Sequence, residues 1–200
     1  MAKRLLIVLL LLSVCMGSAC ADVPFDKRTT LHGGFDEEIR LSDEAIEQLL
    51  TAAFSMPTGG DQRALEFFVV TDRETMRAMK GGNPYAQAME SAPCVIVITA
   101  NTADAYYDEL LEMDAGLAAG AILLQAADLG LATCVLSIAP QQERIQSVRA
   151  ALHAEEYLLP ILMIAVGTPR ADAVSGASVD NWSDSQVHWM ENPGKPLSEP

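Results

Sequence analysis

The segment Asp114-Ala115-Gly116-Leu117-Ala118-Ala119-Gly120-Ala121-Ile122-Leu123-Leu124-Gln125-Ala126-Ala127-Asp128-Leu129-Gly130-Leu131-Ala132-Thr133-Cys134-Val135 holds two elements and the break between them. Extended back to about Tyr107, its first part is apolar nearly all round, which predicts a long, central, buried helix. Leu129-Gly130-Leu131 ends that helix, and Thr133 to Leu136 reads as a short buried strand. Gly116 and Gly120 lie four residues apart on one helix face, with Ala119 beside them. Small residues at that spacing let another helix approach closely. The plain alternative is two tolerated helix glycines, at a cost of about 1 kcal/mol each. Two together on the core helix favour packing.

Outward from this segment, helices alternate with short strands. Ser42 caps a helix with Asp43 and Glu44 in its first turn and an apolar stripe from Ala45 to Ala53. Pro57-Thr58-Gly59-Gly60 stops it, and Phe67 to Val70 forms a strand. Asp72 caps a second helix, Val95 to Thr99 is a buried strand, and Pro140 opens another helix. Ile161 to Val166 is the last strand, stopped by Gly167-Thr168-Pro169. This alternation predicts one three-layered domain around a central sheet.

Composition narrows the function classes. The chain has 200 residues, half of them apolar, which is enough to bury one sizeable core. With 13 basic against 27 acidic residues its net charge is −14, so a nucleic-acid role is excluded on charge. Lys3 and Arg4, the apolar run Leu5 to Leu12 and the small residues Gly17 to Ala21 read as an export signal over residues 1–21. Ala19-Cys20-Ala21 fits ordinary cleavage, and Ser18-Ala19-Cys20 resembles a lipobox that would leave a lipidated Cys20. The expected location is therefore the periplasm or cell envelope. Cys94 and Cys134 sit in apolar runs and read as buried, with free thiols favoured over a disulfide. Neither a CxxC nor an HExxH is present, so no metal site is expected.

Four segments in order carry a family likeness. They are Lys27-Arg28-Thr29-Thr30, the stretch Pro57 to Phe67, Asp114 to Val135, and Ala165-Val166-Gly167-Thr168-Pro169. From Lys27 to Val166 the chain resembles the nitroreductase family of FMN-dependent oxidoreductases. The resemblance implies an α+β fold: a three-layer α/β/α domain with a central mixed sheet and a long buried core helix. It places the FMN-binding domain at residues 22–170 and makes 171–200 a C-terminal extension packing on a dimer partner.

The resemblance also implies roles. Lys27 and Arg28 neutralise the FMN phosphate, and Thr29 or Thr30 donates a hydroxyl to it. The spacing fits Lys27 with Thr29 or Arg28 with Thr30. Pro57, Thr58, Gly59, Asp61 and Arg63 form a turn whose backbone reaches the cofactor. Leu136, Ser137 and Ile138 pack against the flavin ring near N5, with a backbone N–H directed there. Three departures stand out: Asp61 replaces the usual Asn, Arg63-Ala64-Leu65 replaces Gln-Pro-Trp, and the tail lacks the customary second phosphate base. Either Arg170 or Arg63 substitutes for that base, or cofactor affinity falls.

No side chain presents itself as acid, base or nucleophile, which suits chemistry carried by a cofactor. The expected activity is ping-pong transfer from a reduced donor, NAD(P)H being the family's usual one, to a nitro, quinone or similar acceptor. Export argues against a nicotinamide donor, which is scarce outside the cytoplasm. The alternatives are a secreted flavin dehydrogenase like the family's azoline-oxidising branch, or a flavin- or ligand-binding protein without turnover. A homodimer is expected.

Overall fold

A computed structural model describes residues 25–173 and 183–188. The export signal with Cys20, and Trp182 and Trp189 of the extension, lie outside the described residues. In chain order the helices are α1 (Asp43–Phe54), α2 (Arg73–Met79), α3 (Leu111–Asp128) and α4 (Gln142–Leu152). The strands are β1 (Leu65–Val70), β2 (Cys94–Asn101), β3 (Ala132–Ser137) and β4 (Leu158–Gly167).

The caps act as their chemistry demands. Ser42 Oγ accepts from the Ala45 N–H at 3.2 Å, and the Asp72 carboxylate accepts from the Thr75 N–H at 2.7 Å. Each satisfies one of the donors a helix start leaves unpaired.

The sheet order is β1-β2-β4-β3, and every neighbouring pair is antiparallel. Among the described residues, the expected mixed sheet is thus reduced to a single parallel contact, the bridge between Thr30 and Thr133. Strand alternation sends Cys94, Ile96, Ile98 and Ala100 to one face, where α1 and α3 pack, and Val95 and Val97 to the other, under α2 and α4. Three layers result.

β4 starts earlier than its sequence suggests and runs through Pro160, a residue normally barred from central strands. The register explains this. Ile98 faces Leu162 but Thr99 faces Pro160, so Ile161 is an extra residue and a bulge absorbs the proline. The freed Ile161 carbonyl accepts from the Ile138 and Ala139 N–H groups at 3.0 and 2.9 Å. That contact turns the chain off the end of β3. α4 begins at Gln142, two residues after Pro140.

The α3 prediction needs the larger correction. One side of the helix is buried through Leu111, Ala115, Ala118 and Ile122, but Met113 and Leu117 are 51% and 41% exposed, and Gly116 and Gly120 are exposed with them. An added Cβ at either glycine would meet nothing within 4 Å. The helix is apolar all round because it has two apolar faces, and the single chain covers one.

Cys94 and Cys134 are free. Cys94 lies opposite Val166 and Cys134 opposite Ala165, with β4 between them and the two side chains in cores on opposite sheet faces. Two strand spacings are about 10 Å, beyond the roughly 7 Å limit for a disulfide. Burial pushes the Cys94 thiol up to about 12 and raises that of Cys134. Both thiols should therefore resist iodoacetamide at pH 8 in the native protein and react once it is unfolded. Native labelling of either would show that its strand opens.

Candidate functional site

Residues 28–31 have no periodicity of their own, but they are pinned to β3. The Leu31 N–H donates to the Thr133 carbonyl at 2.9 Å, and the Thr133 N–H donates to the Thr29 carbonyl at 3.0 Å. Paired residues share a sheet face, so Thr30 points the same way as Thr133, Val135 and Ser137. Arg28 joins them, since its Nη1 donates to Thr30 Oγ1 at 2.9 Å. The Thr29 hydroxyl instead donates to the Lys27 carbonyl, and Lys27 is exposed. Arg28 with Thr30 is the pair that shares a face with β3; Lys27 with Thr29 is not.

The two hydrogen bonds at Thr133, one donated and one accepted, also fix the parity of β3. Its N–H and C=O point to the outer edge, and so do those of Val135 and Ser137. Consistent with this, the Ser137 carbonyl accepts from Arg144 Nη1 at 3.2 Å and from Asn83 Nδ2 at 3.3 Å, both outside the sheet. Beyond Leu31, the Val135 and Ser137 N–H groups lie along an uncovered strand edge. Ile138 does not: its N–H is bonded to Ile161. Of the segment Leu136 to Ile138, Ser137 is therefore the residue that presents an outward N–H. Leu136 and Ile138 are buried in the α2/α4 core.

A shelf follows from this placement. Arg28 and Thr30 stand at one end, the half-exposed Val135 lies in the middle, and the Ser137 N–H stands at the other end. Four residues of strand separate Thr133 from Ser137, or about 13 Å. Arg144 and Asn83 were missed in the sequence. Arg144 holds both the carbonyl and the hydroxyl of Ser137, and its guanidinium lies 5.9 Å from the centre of the Tyr85 ring. Neither had a recognisable signal, because their partner is a backbone carbonyl 7 residues from Arg144 and 54 from Asn83.

The Pro57–Arg63 turn lies elsewhere. It leads into β1, the opposite edge strand, three strand spacings or about 14 Å from β3. Pro57, Thr58, Asp61 and Arg63 line a surface cavity of about 550 Å3 together with Phe54 and Phe67. No residue of the shelf lines it. Gly60, Asp61 and Arg63 all have positive φ (61°, 55° and 49°), so the turn holds two side-chain-bearing residues in a sparsely populated conformation. Thr58 Oγ1 steadies it by accepting from the Arg63 N–H at 3.0 Å.

Neither candidate for the second phosphate base is free of a carboxylate. Arg63 Nε donates to Asp61 at 2.8 Å, a bond that raises the guanidinium pKa further, and Arg170 Nε pairs with Asp172 at 3.1 Å. They also stand at different ends of the sheet. Arg170 follows the C-terminal end of β4, which pairs with the start of β3 near Thr30, and its N–H donates to the Gly34 carbonyl. Arg63 precedes β1, at the end where β3 stops. Within one chain, Arg170 is the base on the Arg28 side. Among the described residues, no group of three or more His, Cys, Asp or Glu side chains is placed to hold a metal.

Comparison with known proteins gives these features a setting. The family model described as "Nitroreductase family" matches residues 79–168. A protein of Archaeoglobus fulgidus named as an NADH dehydrogenase/NAD(P)H nitroreductase is 28% identical over 150 residues, spanning 74% of this chain and 86% of that one. Among solved structures, one named as an NADH oxidase of Clostridium acetobutylicum superposes with a TM-score of 0.76 at 28% identity, covering 84% of this chain and 99% of its own. The FMN-dependent nitroreductase of Clostridium difficile R20291 superposes with a TM-score of 0.71 at 26% identity, covering 84% and 98%. The matched core, the shared fold and the near-complete coverage of these relatives make the chain similar to the nitroreductase family.

Proposed function

We propose that the protein is an FMN-dependent oxidoreductase that works as a homodimer, with the β3 shelf as the cofactor seat. The observation that carries this reading is the shelf itself: a cation and a hydroxyl at one end, an outward backbone N–H without a partner among the described residues at the other, and a partly uncovered strand face between. A long flat molecule with an anionic tail matches that order of groups. The residues present therefore fit FMN, which when bound supplies two-electron redox chemistry that no side chain here provides. Arg28 and Thr30 hold the phosphate by charge-assisted hydrogen bonds. Ser137 directs its N–H at the ring, and Arg144 and Asn83 keep that strand end from moving by occupying its carbonyl.

The Pro57–Arg63 turn is too far from this shelf to serve the same cofactor in one chain. A second copy brings its own turn to the shelf when the exposed apolar face of α3 packs against its counterpart. Two symmetric sites follow, each built from both chains and closed against water. Lys27 and Arg170 contribute charge at the phosphate end rather than direct seats. The donor is NAD(P)H or another reduced donor that reaches the compartment, and the acceptor is a nitro compound, a quinone or a similar molecule. Residues 1–21 direct export, with cleavage after Ala21 or lipidation at Cys20, a reading that the sequence alone supports.

The test is one absorbance experiment on the purified protein. A bound flavin spectrum should appear, bleach with dithionite, and return on adding nitrofurazone or menadione. Flavin that stays bound but returns no faster than free FMN would make the protein a binder without turnover. A colourless protein that ignores added FMN would overturn the assignment.

A further inference from the structure

Asp114 is the one charged side chain buried among the described residues, at 1% exposure. No cation lies within ion-pairing distance of it among those residues. A buried carboxylate is costly unless hydrogen bonds replace its water. Asp114 has two such bonds, both from the Pro57–Arg63 turn: the Gly59 N–H at 2.8 Å and Gln62 Nε2 at 2.9 Å.

Gln62 is held in turn. Its Oε1 accepts from the Tyr106 and Tyr107 N–H groups at 3.2 and 3.1 Å, and its Nε2 also reaches the Tyr107 carbonyl at 3.4 Å. The contacts beneath leave no slack. A Cβ at Gly59 would collide with Leu110, and one at Gly60 would lie 2.5 Å from the Tyr107 ring. The strained turn is thus fixed from α3, the helix whose opposite face is exposed and apolar.

We propose that Asp114 is a positioning residue for flavin binding: it fixes the Pro57–Arg63 turn so that the turn meets the cofactor without first having to be ordered. The proposal rests on the reading of this turn as part of the flavin site. It makes one helix responsible for both the dimer face and the turn, so that flavin and partner are felt through the same element.

Hydrogen-bond chemistry supplies the test. In Asp114→Asn, the new NH2 must face either the Gly59 N–H or the Gln62 NH2, donor against donor. Turning the Gln62 amide moves the conflict to the Tyr106 and Tyr107 N–H groups. No arrangement of two amides satisfies all partners. Adding Gln62→Glu removes the conflict between the two amides and gives up only the long 3.4 Å contact to the Tyr107 carbonyl. The introduced asparagine then accepts from the Gly59 N–H and donates to the introduced carboxylate, which still accepts from both tyrosine N–H groups. Asp114→Asn should therefore weaken FMN and riboflavin alike, by about tenfold or more. The double variant should return both to within about threefold of the wild type.

An Asp114→Asn protein that binds both flavins like the wild type overturns the proposal, as does a loss confined to FMN. A folded double variant that stays weak overturns it too. Should Asp114→Asn fail to fold, the double variant decides alone by folding and binding, or not. Hydrogen exchange on the flavin-free wild type separates this proposal from the functional one. The Gly59 amide should exchange slowly there although it lies in a surface turn, and fast exchange would sink the clamp whether or not flavin binds.

Discussion

Gly120→Leu should leave each chain folded and abolish both the dimer and flavin binding. Nothing lies within 4 Å of a Cβ at this position, so the single chain accommodates the larger side chain. Leucine is also the better helix former, by about 1 kcal/mol over glycine. Any loss must come from what packs on the exposed α3 face beside Met113, Gly116 and Leu117. Overpacking a tight contact costs about 1–3 kcal/mol, and a two-fold interface meets each substitution twice. The dimer should weaken by about 2–6 kcal/mol, from roughly 30-fold to beyond 10,000-fold. Sedimentation at micromolar concentration should show a monomer with an unchanged circular dichroism spectrum, and added FMN should stay free. A dimeric, flavin-loaded Gly120→Leu protein would move the interface to another surface.

That face of α3 also shows where the sequence stops being readable. A helix apolar on every side reads as buried, and it is buried in the same sense whether the second cover is the chain's own core or another copy. Gly116 and Gly120 marked a small-residue face, but nothing local said that the single chain would leave it exposed. The strands and helix caps were legible because β-branched runs and Ser42 or Asp72 act through neighbours a few residues away. β4 was under-read at Pro160, since a bulge formed with a distant strand decides whether proline is tolerated there.

The site was legible in pieces. Local composition picked out Lys27 to Thr30 and the Pro57–Arg63 turn, yet their separation to opposite sheet edges depends on strand order, which no local pattern encodes. Asp114 carried a signal that passed unread. It is an acid flanked by Leu111, Ala115 and Ala118 on the core-facing stripe of an apolar helix, a position where a carboxylate must have a polar partner.

The choice within the basic pair is settled by a comparison of two ligands. Arg28→Ala should weaken FMN binding by one to two orders of magnitude and leave riboflavin binding as in the wild type. Arg28 is half-buried and aligned by its 2.9 Å bond to Thr30, so a phosphate there gains a preorganised charge-assisted bond. Such a bond contributes about 1.5–3 kcal/mol, and about 1.4 kcal/mol is tenfold in affinity. Riboflavin has no phosphate and so reports only whether the rest of the shelf survives. Lys27→Ala is the matched control. Lys27 is exposed and lies off the shared face, so its loss should cost less than about 1 kcal/mol, as exposed charge contacts do. The reverse ranking, with Lys27→Ala costly and Arg28→Ala silent, would mean that Lys27 and Thr29 face the phosphate and that the Thr30–Thr133 bridge shifts when flavin binds. If both variants bound FMN like the wild type, the phosphate would belong to Arg170, whose pairing with Asp172 would then have to break on binding.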